Sequence, residues 1–159
     1  MPENFTIIES WNMSIFEQMT SIRGRLNRLR YFWMSIILLI GSVIYGALVG
    51  AFLAILIGIL GLPWYLFDLG LGVLTIPLLY PAYAITVKRL QDMNWGKGWT
   101  TYLQVFIIIQ LIWGLTPLGS TASDVLSVIM VAVYIPLISA YFAPGDRGPN
   151  EFGPDPLVG

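Results

Sequence analysis

The sequence predicts an all-α membrane protein with four transmembrane helices, both termini cytoplasmic, an N-terminal amphipathic helix and an irregular Gly/Pro-rich C-terminal tail. Three observations carry this prediction. Of 159 residues, 57% are hydrophobic and only 11% charged, whereas a soluble domain carries about 25% charged residues; the mean hydropathy is +0.76. The charge is gathered into short patches, leaving uncharged runs of 37 residues at Tyr31–Phe67, 19 at Leu69–Val87, 26 at Gly98–Ser123 and 21 at Val125–Gly145. A helix needs roughly 20 apolar residues to cross a bilayer. Finally, Arg23, Arg25, Arg28, Arg30, Lys88, Arg89, Lys97 and Arg147 all fall on one side of a four-helix arrangement, and the opposite loops hold only Asp68 and Asp124. The positive-inside rule then puts both termini in the cytoplasm.

Residues 1–22 form the first segment. Phe5, Ile8, Trp11, Ile15, Met19 and Ile22 recur every three or four positions, the stripe of an amphipathic helix. Such a helix lies either in the headgroups or on the protein's own cytoplasmic face. Glu9 and Glu17, where a lipid-seeking helix carries Lys or Arg, favour the second. A cleaved signal peptide does not fit, because acids come first and the apolar run that follows is too long.

The transmembrane domain occupies residues 23–143. Four arginines between 23 and 30, followed at once by Tyr31, Phe32 and Trp33, mark a membrane boundary. The first helix is expected over about 31–60, stopped by Gly61 and Pro63. Within it Gly46 and Gly50 make a small-xxx-small pair suited to a close neighbour. The second, about 69–88, contains Pro77 and Pro81, each of which removes a backbone donor and predicts a bend. A polar loop from Lys88 to Trp99 leads to the third helix, about 100–116, and the fourth covers about 124–143 with Pro136 inside it. The tail, 144–159, is dense in Gly and Pro and reads as irregular.

Composition removes several chemistries. With no His and no Cys there is no thiolate nucleophile, no imidazole base and no zinc site of the usual nitrogen and sulfur ligands. A net charge of −1 argues against nucleic acid as a partner. No cofactor is expected. Inside the membrane no acid or base lies deep in any helix, which disfavours an ion-coupled transporter. Gln104 and Gln110 are the strongest polar side chains at depth; six apart, they point to different sides and suit interhelical hydrogen bonds.

The chemistry-bearing density is cytoplasmic, in patches at 23–33, 88–99 and 144–156, each beside a helix end. Arg89 and Asp92 are three apart and pair if the helix continues past Lys88; Arg25 and Arg28 share a face in the same way. Asn150, Glu151 and Asp155 are the tail's candidate partners for these groups. The order of these stretches resembles one bacterial inner-membrane family, catalogued as domain of unknown function 805. The resemblance lies in Gly24 to Arg28 with Tyr31 and Trp33, in Lys88 to Asp92 with Gly98 and Trp99, and in Gly148 to Pro156. It spans about 23–156 and implies the topology and motif positions, not a reaction. The family's middle loop usually reads Arg-Arg-Leu-His-Asp; here Lys88 and Gln91 replace the first Arg and the His, so imidazole chemistry is absent at that place.

These residues lead to the expectation of a non-catalytic inner-membrane module whose cytoplasmic face binds anionic lipid headgroups or a partner protein, with Arg25, Arg28, Arg89, Asp92, Trp99, Asn150, Gly153 and Asp155 as the candidate site. Arginine suits phosphate because its planar fork presents several donors, and basic pockets between helices on this side hold phospholipid heads. The bilayer itself, anionic phospholipid, a second copy or another membrane protein are the expected partners. A structural role for the same arginines, pairing internally with Asp92 and Asp155, competes evenly. Two other classes stand behind: a small transporter or channel acting as an oligomer, and an enzyme acting on a phosphate-bearing lipid-linked substrate with Asp92 as base or Mg²⁺ ligand.

Overall fold

A computed structural model describes residues 14–95, 97–117, 119–153 and 155–157 of the chain. Five helices follow one another: α1 Ile15–Thr20, α2 Arg28–Leu60, α3 Tyr65–Asp92, α4 Lys97–Gly114 and α5 Thr121–Phe142. Among the described residues there is no strand, only an isolated antiparallel bridge between Asn150 and Gly153.

Each long helix departs from its expected bounds by a few residues, and two of the N-terminal shifts come from capping side chains. α2 begins at Arg28 rather than about 31, because the Asn27 side chain accepts the backbone N–H of Arg30 at 2.9 Å and caps the helix. It ends as expected, with Gly61 in the left-handed region (φ 63°) and the Leu62 N–H returning to the Ile57 carbonyl. α3 starts four residues early and runs four past Lys88, continuing through both Pro77 and Pro81. Its last turn therefore carries Lys88, Arg89 and Asp92 on helical backbone. α4 lies at 97–114 rather than 100–116. α5 opens at Thr121, where the Ser120 hydroxyl oxygen accepts the N–H of Ser123, and stops at Phe142, two residues before Pro144.

Three helices, α2, α3 and α5, are long and apolar enough to cross a membrane. α4, with 18 residues, reaches about 27 Å at 1.5 Å per residue. Large apolar side chains face outward along the helices: Ile59 is 78% exposed, Val128 72% and Leu48 67%. A surface of that kind is stable against hydrocarbon and not against water.

α3 is the hub, packed against α1, α2, α4 and α5. The buried core gathers toward its C-terminal end, where Ile85, Val87, Leu90 and Met93 meet Leu26, Tyr31, Leu137 and Ala140. The close approach occurs at an unexpected pair. A Cβ on Gly72 would sit 2.0 Å from the carbonyl oxygen of Gly114, so α3 and α4 cross with backbones in contact. Gly46 has nothing within 4 Å of such an atom and Gly50 has only Phe67, at 3.8 Å. Gln104 and Gln110 bond between helices as expected, to the hydroxyls of Tyr83 and Tyr134 at 3.4 and 3.3 Å.

Of the expected amphipathic helix over 1–22, Phe5, Ile8 and Trp11 lie outside the described residues. The remainder contains α1, a six-residue helix with a capping box between Ser14 and Glu17. It packs on α3: Lys88 Nζ donates to the Gln18 carbonyl, and the Tyr80 hydroxyl donates to that of Thr20 at 2.8 Å. Met19 packs on the core while Ile15 and Phe16 are exposed.

Candidate functional site

The three polar stretches meet at the end of α3. Helical spacing sets Arg89 and Asp92 side by side on its last turn, and Arg25 reaches them from the segment ahead of α2. That segment is tied down by the Leu26 N–H, which donates to the Lys88 carbonyl at 3.2 Å. Gly24, at φ 92°, makes the turn. Gln91 secures the same segment: with its amide nitrogen inward it donates to the carbonyls of Gly24 at 2.6 Å and Ile22 at 3.2 Å.

Asp92 is 2% exposed and lies between two guanidiniums. Its Oδ1 accepts from Arg25 Nε at 3.2 Å and its Oδ2 from Arg89 Nη1. The Arg25 side chain is 1% exposed, that of Arg89 0%. Two cations around one anion leave an excess positive charge, and backbone carbonyls offset it. Arg25 Nη1 donates to the carbonyls of Gly148 (2.6 Å) and Gly153 (3.4 Å), and Nη2 to those of Asp146 and Asp92. With Nε on Asp92, all five N–H groups of Arg25 have acceptors, which is the full capacity of a guanidinium. Arg89 donates through Nε to the Ala140 carbonyl at 2.7 Å and through Nη2 to that of Ala143. Those carbonyls end α5, whose last turn lacks intrahelical donors and carries the negative end of the helix dipole. One cation thus caps α5 while the other holds the tail.

The tail supplies its carbonyls because its motif folds tightly. The Asn150 side-chain oxygen accepts the Phe152 N–H at 2.9 Å, and the backbones of Asn150 and Gly153 exchange bonds of 3.0 and 3.1 Å. Gly148 and Gly153 have φ of 78° and 141°, conformations that side chains resist. Asn150 Nδ2 also reaches the Gln91 carbonyl at 3.0 Å, and the Asp146 N–H donates to the Asp92 carbonyl at 2.7 Å. Asp155 accepts the N–H groups of Leu157 and Gly148, and these bonds, the Leu157 one first, hold its carboxyl below the usual carboxylate range. Gly145 has a separate reason: a Cβ there would lie 2.3 Å from Asp92 Oδ2.

Arg25, Arg89, Asp92, Asn150, Gly153 and Asp155 are therefore brought into one assembly. Two of the expected site residues are not. Arg28 is exposed on the first turn of α2, and Trp99 stacks on Trp95 at 4.3 Å and edge-on to Tyr102 at 5.5 Å. Glu151 is exposed, and Asp155 serves tail backbone rather than an arginine. The acceptors that sequence reasoning missed, at Ala140, Ala143, Asp146 and Gly148, are main-chain carbonyls, which no residue type announces. Chemically, Asp92 has both oxygens committed and no open face, so it is placed as a counter-ion and not as a base. Among the described residues no three acidic, His or Cys side chains gather into a metal-binding group.

An apolar helical body with a charge cluster sealed at one end defines a membrane-embedded helical protein. Within that class the chain belongs to the family described as protein of unknown function (DUF805), whose model matches residues 19–154 and so takes in the charged cluster and nearly all of the tail motif. No curated protein and no solved structure matches the chain.

Proposed function

We propose that the chain spans the bacterial inner membrane four times with both ends cytoplasmic, and acts as a non-catalytic module whose cytoplasmic face meets anionic lipid headgroups. The observation that supports the headgroup reading is a rim of exposed cations, Arg23, Arg28 and Arg147, around a buried cluster that is spent internally. A guanidinium with five acceptors and 1% exposure has nothing left for a phosphate, so the buried Arg25–Asp92–Arg89 cluster works as a clamp that latches the tail over the ends of α2, α3 and α5. Headgroup contact then falls to the exposed rim around it, namely Arg28 together with Arg23 and Arg147. α3, at 28 residues, is about 42 Å long, beyond the roughly 30 Å of the hydrocarbon core. Its last turns can therefore stand at headgroup level.

Two measurements test this. The chain has no Cys, so single cysteines at Leu157 and at Asp68 report sidedness with a membrane-impermeant thiol reagent. Asp68→Cys is expected to label in intact cells and Leu157→Cys only after the inner membrane is opened; the reverse pattern ends the topology. Native mass spectrometry from mixed phosphatidylglycerol and phosphatidylcholine nanodiscs is expected to retain phosphatidylglycerol. Arg23→Gln/Arg28→Gln should reduce that retention without changing the helical signal. Equal retention of the neutral lipid rejects the headgroup reading, and Asp92-dependent turnover of a phosphate-bearing lipid would favour the enzyme alternative.

A further inference from the structure

The bundle does not close on itself. Among the described residues α2 and α4 nowhere approach within 8 Å between Cα atoms, and between them and the facing sides of α3 and α5 lies an open cleft of about 590 Å³, within the size range of small-molecule sites. It is limited at one end by the Gly72–Gly114 crossing and at the other by Tyr31, whose ring packs 4.8 Å from that of Tyr141. The stretch of α3 from Gly72 to Thr86 lines it and sets a length of about 21 Å, close to the length of one extended hexadecyl chain.

Among the described residues no Asp, Glu, Lys or Arg lines the cleft, and a charged head at this depth would cost several kcal/mol. Its wall nevertheless carries an amide beside a phenol. Gln110 Nε2 donates to the Tyr134 hydroxyl over 3.3 Å, and this uses one of the amide's four hydrogen-bonding positions. In a hydrocarbon setting, amide groups without partners are costly. Its carbonyl oxygen, its second N–H and the Tyr134 proton form a neutral donor–acceptor station, with Thr75 also on the cleft wall.

From this geometry we infer that the cleft binds a neutral long-chain lipid, its chain along the α2–α3 wall and a hydroxyl or carbonyl group at Gln110 and Tyr134. This binding is separate from the tail clamp and needs only that the bundle be embedded.

The probe is hexadecanol carrying a diazirine on its chain, photolysed with the full-length protein in nanodiscs and mapped by peptide mass spectrometry. Labelling is expected at cleft positions such as Leu38, Leu79 and Leu137, and at least tenfold suppression by excess unlabelled hexadecanol. Hexadecyl sulfate, whose permanent charge the cleft has no cation to meet, should not suppress it. Ser42→Phe and Thr75→Leu, which narrow the cleft from two helices, should each abolish saturable labelling while the helical signal persists. Gln110→Leu/Tyr134→Phe should leave hexadecanol competing no better than hexadecane. Labelling that cannot be saturated, that spreads to outward residues such as Ile44, Ile55 and Val128, or that survives both narrowing variants overturns the proposal. Lipid extracted from the purified protein distinguishes a free long-chain alcohol from an acylglycerol as the source; charged phospholipid alone also overturns it.

Discussion

Replacing Asp92 by Asn exchanges one oxygen for an NH₂ group at the centre of the clamp. The two carboxylate oxygens accept from different arginines, Oδ1 from Arg25 and Oδ2 from Arg89. Whichever way the amide turns, its NH₂ therefore faces a guanidinium, donor against donor. The cluster also goes from two cations and one anion to two cations, at sites where the arginine side chains are 1% and 0% exposed. Removing one partner of a buried pair costs about 3–5 kcal/mol. Here the cheapest relief is local: the tail lifts, water enters and Arg25 is solvated, while the helices stay packed. Taking about 3 kcal/mol, the tail-released population rises roughly 150-fold, at a factor of ten per 1.4 kcal/mol. Trypsin reads this directly at the bond between Arg147 and Gly148, whose carbonyl is one of the acceptors of Arg25. When opening is fast, cleavage tracks the population of the open form. Cleavage at Arg23 serves as an internal control, with helix content followed by circular dichroism. A cleavage rate at Arg147 within twofold of wild type, with the helices intact, would refute the clamp. Arg25→Lys, which keeps the charge but supplies three donors from one point instead of a five-donor fork, should fall between the two.

Three further outcomes follow from the same geometry. Gly145→Ala adds a methyl carbon 2.3 Å from Asp92 Oδ2, so it should raise cleavage at Arg147 in the direction of Asp92→Asn; an unchanged rate means the cluster yields without cost. Gly72→Ala drives a methyl into the Gly114 backbone and should lower the midpoint of thermal unfolding, an overpacking loss of about 1–3 kcal/mol or more; Gly46→Ala, with open space around it, should leave that midpoint unchanged or higher. Asp155 has its folded pKa depressed, so its contribution to holding the tail is present above the unfolded carboxylate value of about 4 and is lost as pH falls through the lower folded value. Opening of the tail, read by hydrogen exchange at the Gly148 N–H that donates to Asp155, should therefore rise below that pH, and Asp155→Asn should flatten the rise.

Much of the helical body was legible because a membrane makes a one-dimensional demand. Apolar run length locates Arg28–Leu60, Tyr65–Asp92 and Thr121–Phe142 within a few residues; Asn27 and Ser120 add a turn by capping at two N-termini, and α3 runs four residues beyond its expected bounds at each end. The Arg89–Asp92 pair was legible only on the condition that its helix ran past Lys88, which α3 does, to Asp92. Arg25 was legible only as a cation. Its acceptors are carbonyls of Asp146, Gly148 and Gly153, and a carbonyl carries no mark in the amino-acid code. Glycines misled for a related reason. Gly46 and Gly50 are spaced like a contact motif, yet the contact lies at Gly72 and Gly114, which share no spacing because they sit on different helices.

The amino-acid order by itself determined the environment and the coarse layout, because hydrocarbon penalises every charge it meets and so sorts the chain into apolar runs and polar patches. It also placed the three patches at helix ends. Only the tertiary structure decided what those patches do to one another: that Asp92 is shared between two arginines, that Arg25 is used up on the tail and Arg89 on the end of α5, and that Arg28 is left outside. Such choices depend on distances between segments far apart in the chain, and a guanidinium bonds to whichever oxygens folding brings within about 3 Å.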